Sequence, residues 1–185
     1  MEPCHRKKLP ALWLMTDERV EASVQLAAAA RLPAGRAGIV FRHYRTMPDE
    51  RRALFVRFRA IARRRRLVLV LAGNARQAAA WGADGWHGAD HRRAGRPMLH
   101  SASAHDAMEM EAARRGKADL LFLSPLFPTR SHPGAGALGR VRFAMLARQA
   151  GLPVMALGGV RAADRRILPA LGATGWAAID GLLRR

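Results

Sequence analysis

Apolar residues in this chain gather in eight short runs: Ala11–Met15, Gly38–Phe41, Leu67–Leu71, Gly85–Trp86, Pro97–Leu99, Leu120–Leu123, Val154–Leu157 and Trp176–Ile179. Most are continuous rather than alternating, as expected of strands buried on both faces. Between most of them lie segments with helical spacing. In the clearest, Pro48 to Arg65, the residues Leu54, Phe55, Phe58, Ile61 and Ala62 fall on one face. Thr46 is its expected cap, and Pro48 suits its first turn. Asp49 and Glu50 suit its positive end, and Arg63 to Arg66 its negative end. Further helices are expected over Val20–Arg31, Ala75–Trp81, Ala104–Arg115, Arg140–Gln149 and Ala162–Leu171.

Strand and helix alternate throughout, which predicts an α/β fold with a parallel sheet. Eight repeats predict a closed, compact (β/α)8 TIM barrel rather than an open sheet. At 185 residues the chain is short for that fold, which typically takes roughly 250, and the compression falls between residues 72 and 97. One domain is expected over residues 11–185, after a basic and flexible N-terminal segment, residues 1–10. Trp13, Trp86 and Trp176 are expected to fill the barrel or helix layers, with Trp81 closing its helix against the sheet.

Composition narrows the partners. Half of the residues are hydrophobic, enough for one substantial core. No apolar run approaches membrane-spanning length, and the basic N-terminus lacks a signal-peptide core, so no membrane partner and a cytoplasmic location are expected. Cys4 is the only cysteine, which excludes an internal disulfide and a cysteine cluster for zinc. The formal charge is +18, and only Lys7, Lys8 and Lys117 among the cations are lysines. An anionic partner accounts for such a charge, as does a bias towards alanine and arginine. Nucleic acid is the lesser expectation, because interleaved aromatics and a recognition motif are missing. Small phosphorylated or pyrophosphorylated metabolites fit better, and a homo-oligomer stays open.

In a barrel the chemistry collects at the C-terminal ends of the strands. Two of those ends suit an anion. The run Leu120–Leu123 enters a loop, Ser124-Pro125-Leu126-Phe127-Pro128-Thr129-Arg130-Ser131-His132-Pro133-Gly134, rich in hydroxyls, cations and prolines. Val154–Leu157 ends in Gly158-Gly159 before a helical segment, where backbone approaches a phosphate easily. His87 at the fourth strand end is a candidate acid–base group or a structural histidine. His43 and His132 flank the mouth as groups able to titrate near neutrality. His105 is expected to orient or cap the following helix, and no role is assigned to His100 or Ser101.

Read in order, the strand ends resemble the thiamine phosphate synthase and thiazole tautomerase (TenI-like) family, of which the chain is identified as a divergent member. The resemblance rests on Leu12-Trp13-Leu14-Met15-Thr16-Asp17, Val40-Phe41-Arg42, Gly82-Ala83-Asp84-Gly85-Trp86-His87, Ser103-Ala104-His105, the Pro125–Ser131 loop and Ala156-Leu157-Gly158-Gly159-Val160. It implies a transferase that joins hydroxymethylpyrimidine pyrophosphate to a thiazole phosphate and releases pyrophosphate. By that resemblance Arg42, Thr129 and Ser131 bind pyrophosphate or neighbouring substrate atoms, with Arg130 as a further cation of the same loop. Ser103 meets the pyrimidine or the pyrophosphate, and Gly158 and Gly159 hold the thiazole phosphate. Arg42, Ser103 and His132 are the expected catalytic set. Thr129, Arg130, Ser131, Gly158, Gly159, Asp180, His87 and His43 are the expected binding set. Magnesium is the implied cofactor, with Asp90 as its candidate carboxylate.

The departures from the family pattern fall on the chemistry. Val40 and Tyr44 stand where the synthase has glutamine and lysine, Ala72 and Gly73 where it has Asn-Asp, and His132 where it has lysine. Asp180 replaces a phosphate-binding serine, and a carboxylate against a phosphate is repulsive by several kcal/mol at contact. The tautomerase histidine would fall at Pro125. Four functions stay open: the synthase, a family barrel with an altered substrate or tautomerase-like role, a non-catalytic phosphate or thiazole binder, and a basic nucleic-acid-binding protein.

Overall fold

The structure, a computed structural model, describes residues 9–89, 95–129 and 136–183. Eight parallel strands close into a barrel in chain order, β1-β2-β3-β4-β5-β6-β7-β8. They are β1 (Leu12–Met15), β2 (Ala37–Phe41), β3 (Val68–Ala72), β4 (Gly85–His87), β5 (Leu99–Ala104), β6 (Leu120–Leu123), β7 (Val154–Ala156) and β8 (Gly175–Ala178). Closure is made by β1 on β8, with Leu12 opposite Trp176 and Leu14 opposite Ala178. The helices are α1 (Ala22–Arg31), α2 (Pro48–Arg65), α3 (Ala75–Trp81), α4 (Ala107–Arg115), α5 (Gly139–Gln149) and the single turn α6 (Asp180–Leu183). The predicted flexible N-terminus falls largely on residues outside the described ones.

The unbroken apolar runs arise because both strand faces are covered. Trp13, Met15, Val40, Val70, Leu120, Phe122, Met155 and Ala177 fill the barrel interior. The Trp13 indole crosses it edge-on to Phe122 at 5.6 Å and donates to the Pro10 carbonyl at 2.7 Å. A Cβ at position 38 would lie 2.3 Å from a Trp13 ring carbon, so glycine is required there. The alternate residues face the helices in two outer clusters, one with Ile39, Phe41, Phe55, Phe58 and Trp86, the other with Leu121, Leu123, Phe143, Leu146 and Trp176. Trp81 packs against the outer cluster that holds Phe41 and Leu71, 5.2 Å from Phe55 of α2.

Several expectations need correction. The fifth strand is Leu99–Ala104, not Pro97–Leu99. Its alternation of Ser101 and Ser103 with Ala102 and Ala104 looks like loop chemistry in the sequence, and the serines are the inward side of a strand. Thr46 does not cap α2: Met47 holds that position and offers no side-chain bond. The expected helix Ala162–Leu171 is two 3-10 turns, Ala162–Arg166 and Pro169–Leu171. Pro169 lacks the N–H that a continuous helix would need there. Helix α4 begins only at Ala107, because Asp106 is the cap and accepts from Glu109 N–H. His105 sits just before it and pairs with Glu109 Oε2 at 2.8 Å. Among the described residues no helix separates β4 from β5, which is where the sequence is compressed.

One arginine fixes the upper rim. Arg51, on α2, donates through Nη2 to the Ala72 carbonyl at 2.6 Å and to the Arg42 carbonyl at 3.1 Å. It thereby ties the ends of β2 and β3, while its guanidinium lies over the Trp81 ring at 5.3 Å.

Candidate active site

The mouth is built first at the ends of β1 and β2. Strand register sets Met15 opposite Val40, so Thr16 and Arg42 lie side by side above the core. The Arg42 backbone N–H donates to Thr16 Oγ1 at 2.9 Å, and its Nε donates to the Thr16 carbonyl at 2.7 Å. Arg42 Nη2 lies 3.4 Å from Asp17 Oδ2. Arg19 grips the same carboxylate, Nε to Oδ1 at 2.9 Å and Nη2 to Oδ2 at 2.6 Å. The Arg19 bonds, opposed by burial and helped by Arg42, hold the Asp17 carboxyl down to about 2. Two guanidinium groups around one carboxylate leave a net positive rim. Burial lowers the Arg42 pKa, with Asp17 offsetting part of that cost, and guanidinium keeps its charge regardless. Gln25 fixes the turn beneath, accepting from Asp17 N–H at 2.7 Å and donating to the Asp17 carbonyl at 2.9 Å.

The second wall is β4 and β5. His87 points inward, edge-on to Phe122 at 5.6 Å. Its Nδ1 lies 3.0 Å from Ser101 Oγ and its Nε2 3.2 Å from Ser103 Oγ. Burial first, then the nearby cation Arg42, pushes the His87 imidazole down to about 4. The neutral imidazole is therefore the favoured form at pH 7. His43 stacks on Phe41 at 4.7 Å, towards α2, with Nδ1 3.0 Å from Thr16 Oγ1. Burial lowers its pKa.

The third wall joins the two anion loops. Leu126 N–H donates to the Leu157 carbonyl at 2.8 Å and Phe127 N–H to the Gly158 carbonyl at 3.0 Å. Gly158 and Gly159 take φ of +87° and +66°. Among the described residues the N–H groups of Gly158 and Gly159 have no acceptor, so they are available to an anion. Thr129 is half-buried at the last described residue of its loop, and the Arg140 guanidinium lies 6.0 Å over the Phe127 ring. Asp180 opens α6 after β8, within the field of Arg19. Arg130, Ser131, His132 and Asp90 lie outside the described residues.

The structure thus brings Arg42, Ser103, Thr129, Gly158, Gly159 and Asp180 to the C-terminal end of one barrel, with His43 buried beside Thr16. Sequence reasoning missed Asp17 as the partner of Arg42, Arg19 as the second cation on that carboxylate, and Ser101 as partner of His87. The period of two from Ser103 back to Ser101 was the available signal.

A family model described as thiamine monophosphate synthase matches residues 12–182. The chain belongs to this family. Among its relatives, the thiamine biosynthesis bifunctional protein ThiM/ThiE of Symbiobacterium thermophilum is 32% identical over 83% of this chain and 34% of its own length. The bifunctional protein ThiED of Geobacter sulfurreducens is 25% identical over 97% of this chain and 38% of its own. The chain therefore spans about a third of these curated relatives. Among solved structures, the thiamine phosphate pyrophosphorylase from Pyrococcus furiosus superposes with a TM-score of 0.76 at 22% identity, covering 93% of this chain and 86% of that one. That likeness establishes the barrel.

Within this thiamine monophosphate synthase family frame, magnesium meets a poor donor set. Strand β3 ends at Ala72 and is followed by Gly73, and the Asp17 carboxylate is taken by two arginines. Among the described residues no group of three or more His, Cys, Asp or Glu is placed to hold a metal. The described residues do not fit the ion, and no step is derived through it. Among the described residues no helix is long and apolar enough to cross a membrane.

Proposed function

We propose that this chain forms thiamine phosphate from hydroxymethylpyrimidine pyrophosphate and thiazole phosphate, in the cytoplasm. The carrying observation is the Arg42 guanidinium, held at the barrel mouth by the Thr16 carbonyl and Asp17. In this reading it faces the pyrophosphate. The bond from the pyrimidine methylene carbon to the pyrophosphate oxygen breaks, and the electron pair leaves with pyrophosphate. The thiazole nitrogen then supplies the pair for the new carbon–nitrogen bond. Charge develops on the leaving group, and a preorganised cation there is worth most where water is excluded. The free N–H groups of Gly158 and Gly159 hold the thiazole phosphate.

Asp180 favours one variation, a thiazole without its phosphate, because a carboxylate there opposes an anion. The test is incubation with both precursors and magnesium, read by product mass. A product of thiamine phosphate mass with equimolar pyrophosphate is expected. Condensation only with the unphosphorylated thiazole would select the variation, and no product with either would overturn the proposal.

A further inference from the structure

The barrel interior carries a hydrogen-bonded line that the proposed reaction does not explain: the Trp86 carbonyl, Ser101, His87 and Ser103. His87 is only 5% exposed, and its two ring nitrogens meet two serine hydroxyls. The charged and titratable groups acting on it are Arg42 and His100, and neither is an anion that would stabilise an imidazolium. A neutral imidazole has one N–H and one lone pair, so one serine must receive a proton bond and the other must give one. Ser101 decides which. Its Oγ also lies 3.4 Å from the Trp86 carbonyl, and a carbonyl only accepts. The Ser101 O–H is directed there, leaving its oxygen to accept from His87 Nδ1–H. Nε2 then holds the lone pair, and the Ser103 O–H is donated to it.

We propose that His87 is a positioning residue that sets the polarity of Ser103, presenting the Ser103 oxygen to the mouth as an acceptor for the exocyclic amine of the pyrimidine rather than as a donor to pyrophosphate. Ser103 is half-buried and stands next to the last residue of β5, at the strand end that opens on the mouth. A hydroxyl that already donates is a better acceptor, since bonds in a chain polarise one another. The identity of the pyrimidine rests on the function proposed above; the direction of the line does not.

Two experiments separate these. In the ligand-free protein with 15N-labelled histidine, His87 is assigned by the perturbation in Ser101→Ala and its tautomer is read from long-range couplings. Protonation at Nδ1 is expected, with that preference lost in Ser101→Ala; protonation at Nε2 would overturn the proposal whether or not the protein forms product. In Ser103→Ala, binding of hydroxymethylpyrimidine is expected to weaken about tenfold, with binding of inorganic pyrophosphate within about twofold of the parent. Equal or greater loss for pyrophosphate would overturn it. An Nδ1-protonated His87 in a protein that yields no product would defeat the synthase reading alone.

Discussion

Phe127 N–H donates to the Gly158 carbonyl across 3.0 Å, so the two loops that suit an anion form one surface. The glycines serve that contact as well as any ligand. A Cβ at Gly158 would lie 2.6 Å from Pro125 Cβ, and one at Gly159 would lie 2.6 Å from the Pro128 carbonyl oxygen.

Gly158→Ala is therefore expected to cost at least about 2 kcal/mol, from the left-handed backbone and the clash with Pro125 together. Urea unfolding measures it. A loss below half that figure would mean that the loops part easily, and the close packing would not explain the glycine.

Arg42→Lys tests the cation at the mouth. Lysine is a point donor and cannot reproduce both the Nε bond to the Thr16 carbonyl and the Nη2 approach to Asp17. Product formation is expected to fall about 30- to 100-fold, with stability changed by less than about 1 kcal/mol. Unchanged turnover would place the pyrophosphate elsewhere.

The barrel was legible because burial on both strand faces writes continuous apolar runs such as Leu67–Leu71 and Leu120–Leu123. β5 was not, because its inward side carries Ser101 and Ser103, and inward serines look like loop. The placement of Arg42, Ser103 and Gly158-Gly159 at the C-terminal ends of strands was legible from the order of the apolar runs. Their supports were hidden for a physical reason. Asp17 meets Arg42 through β1–β2 register, 25 positions apart, and Arg51 reaches two carbonyls by the length of its side chain. The stacking of His43 on Phe41 was hidden as well, because it accompanies a positive φ of +43° that the residue type does not signal.

Asp180→Ser removes a carboxylate from the end of β8, beside the field of Arg19. Affinity for the thiazole phosphate is expected to rise about tenfold, since a like charge is lost and a hydroxyl donor gained. Calorimetry with each variant decides it. Unchanged or weaker binding would show that Asp180 does not face the phosphate.

The buried His87 makes stability depend on pH in a defined window. An unfolded histidine titrates near 6.5, whereas the folded one is held down to about 4 by burial and Arg42. Between those values the unfolded chain binds a proton that the folded chain refuses. Stability from this group is complete above pH 6.5, falls as the pH drops towards 4, and levels off below, for a total of about 3 kcal/mol. His43, lowered by burial, acts in the same direction. Asp17, held to about 2, loses its contribution only below the ordinary carboxylate range, so its window lies lower. Urea unfolding of the parent and of His87→Gln at pH 7, 5.5 and 4.5 measures the slope. The variant is expected to lose much less stability over that range than the parent. Parallel slopes would mean that His87 takes up its proton in the folded barrel, which burial and the neighbouring cation oppose.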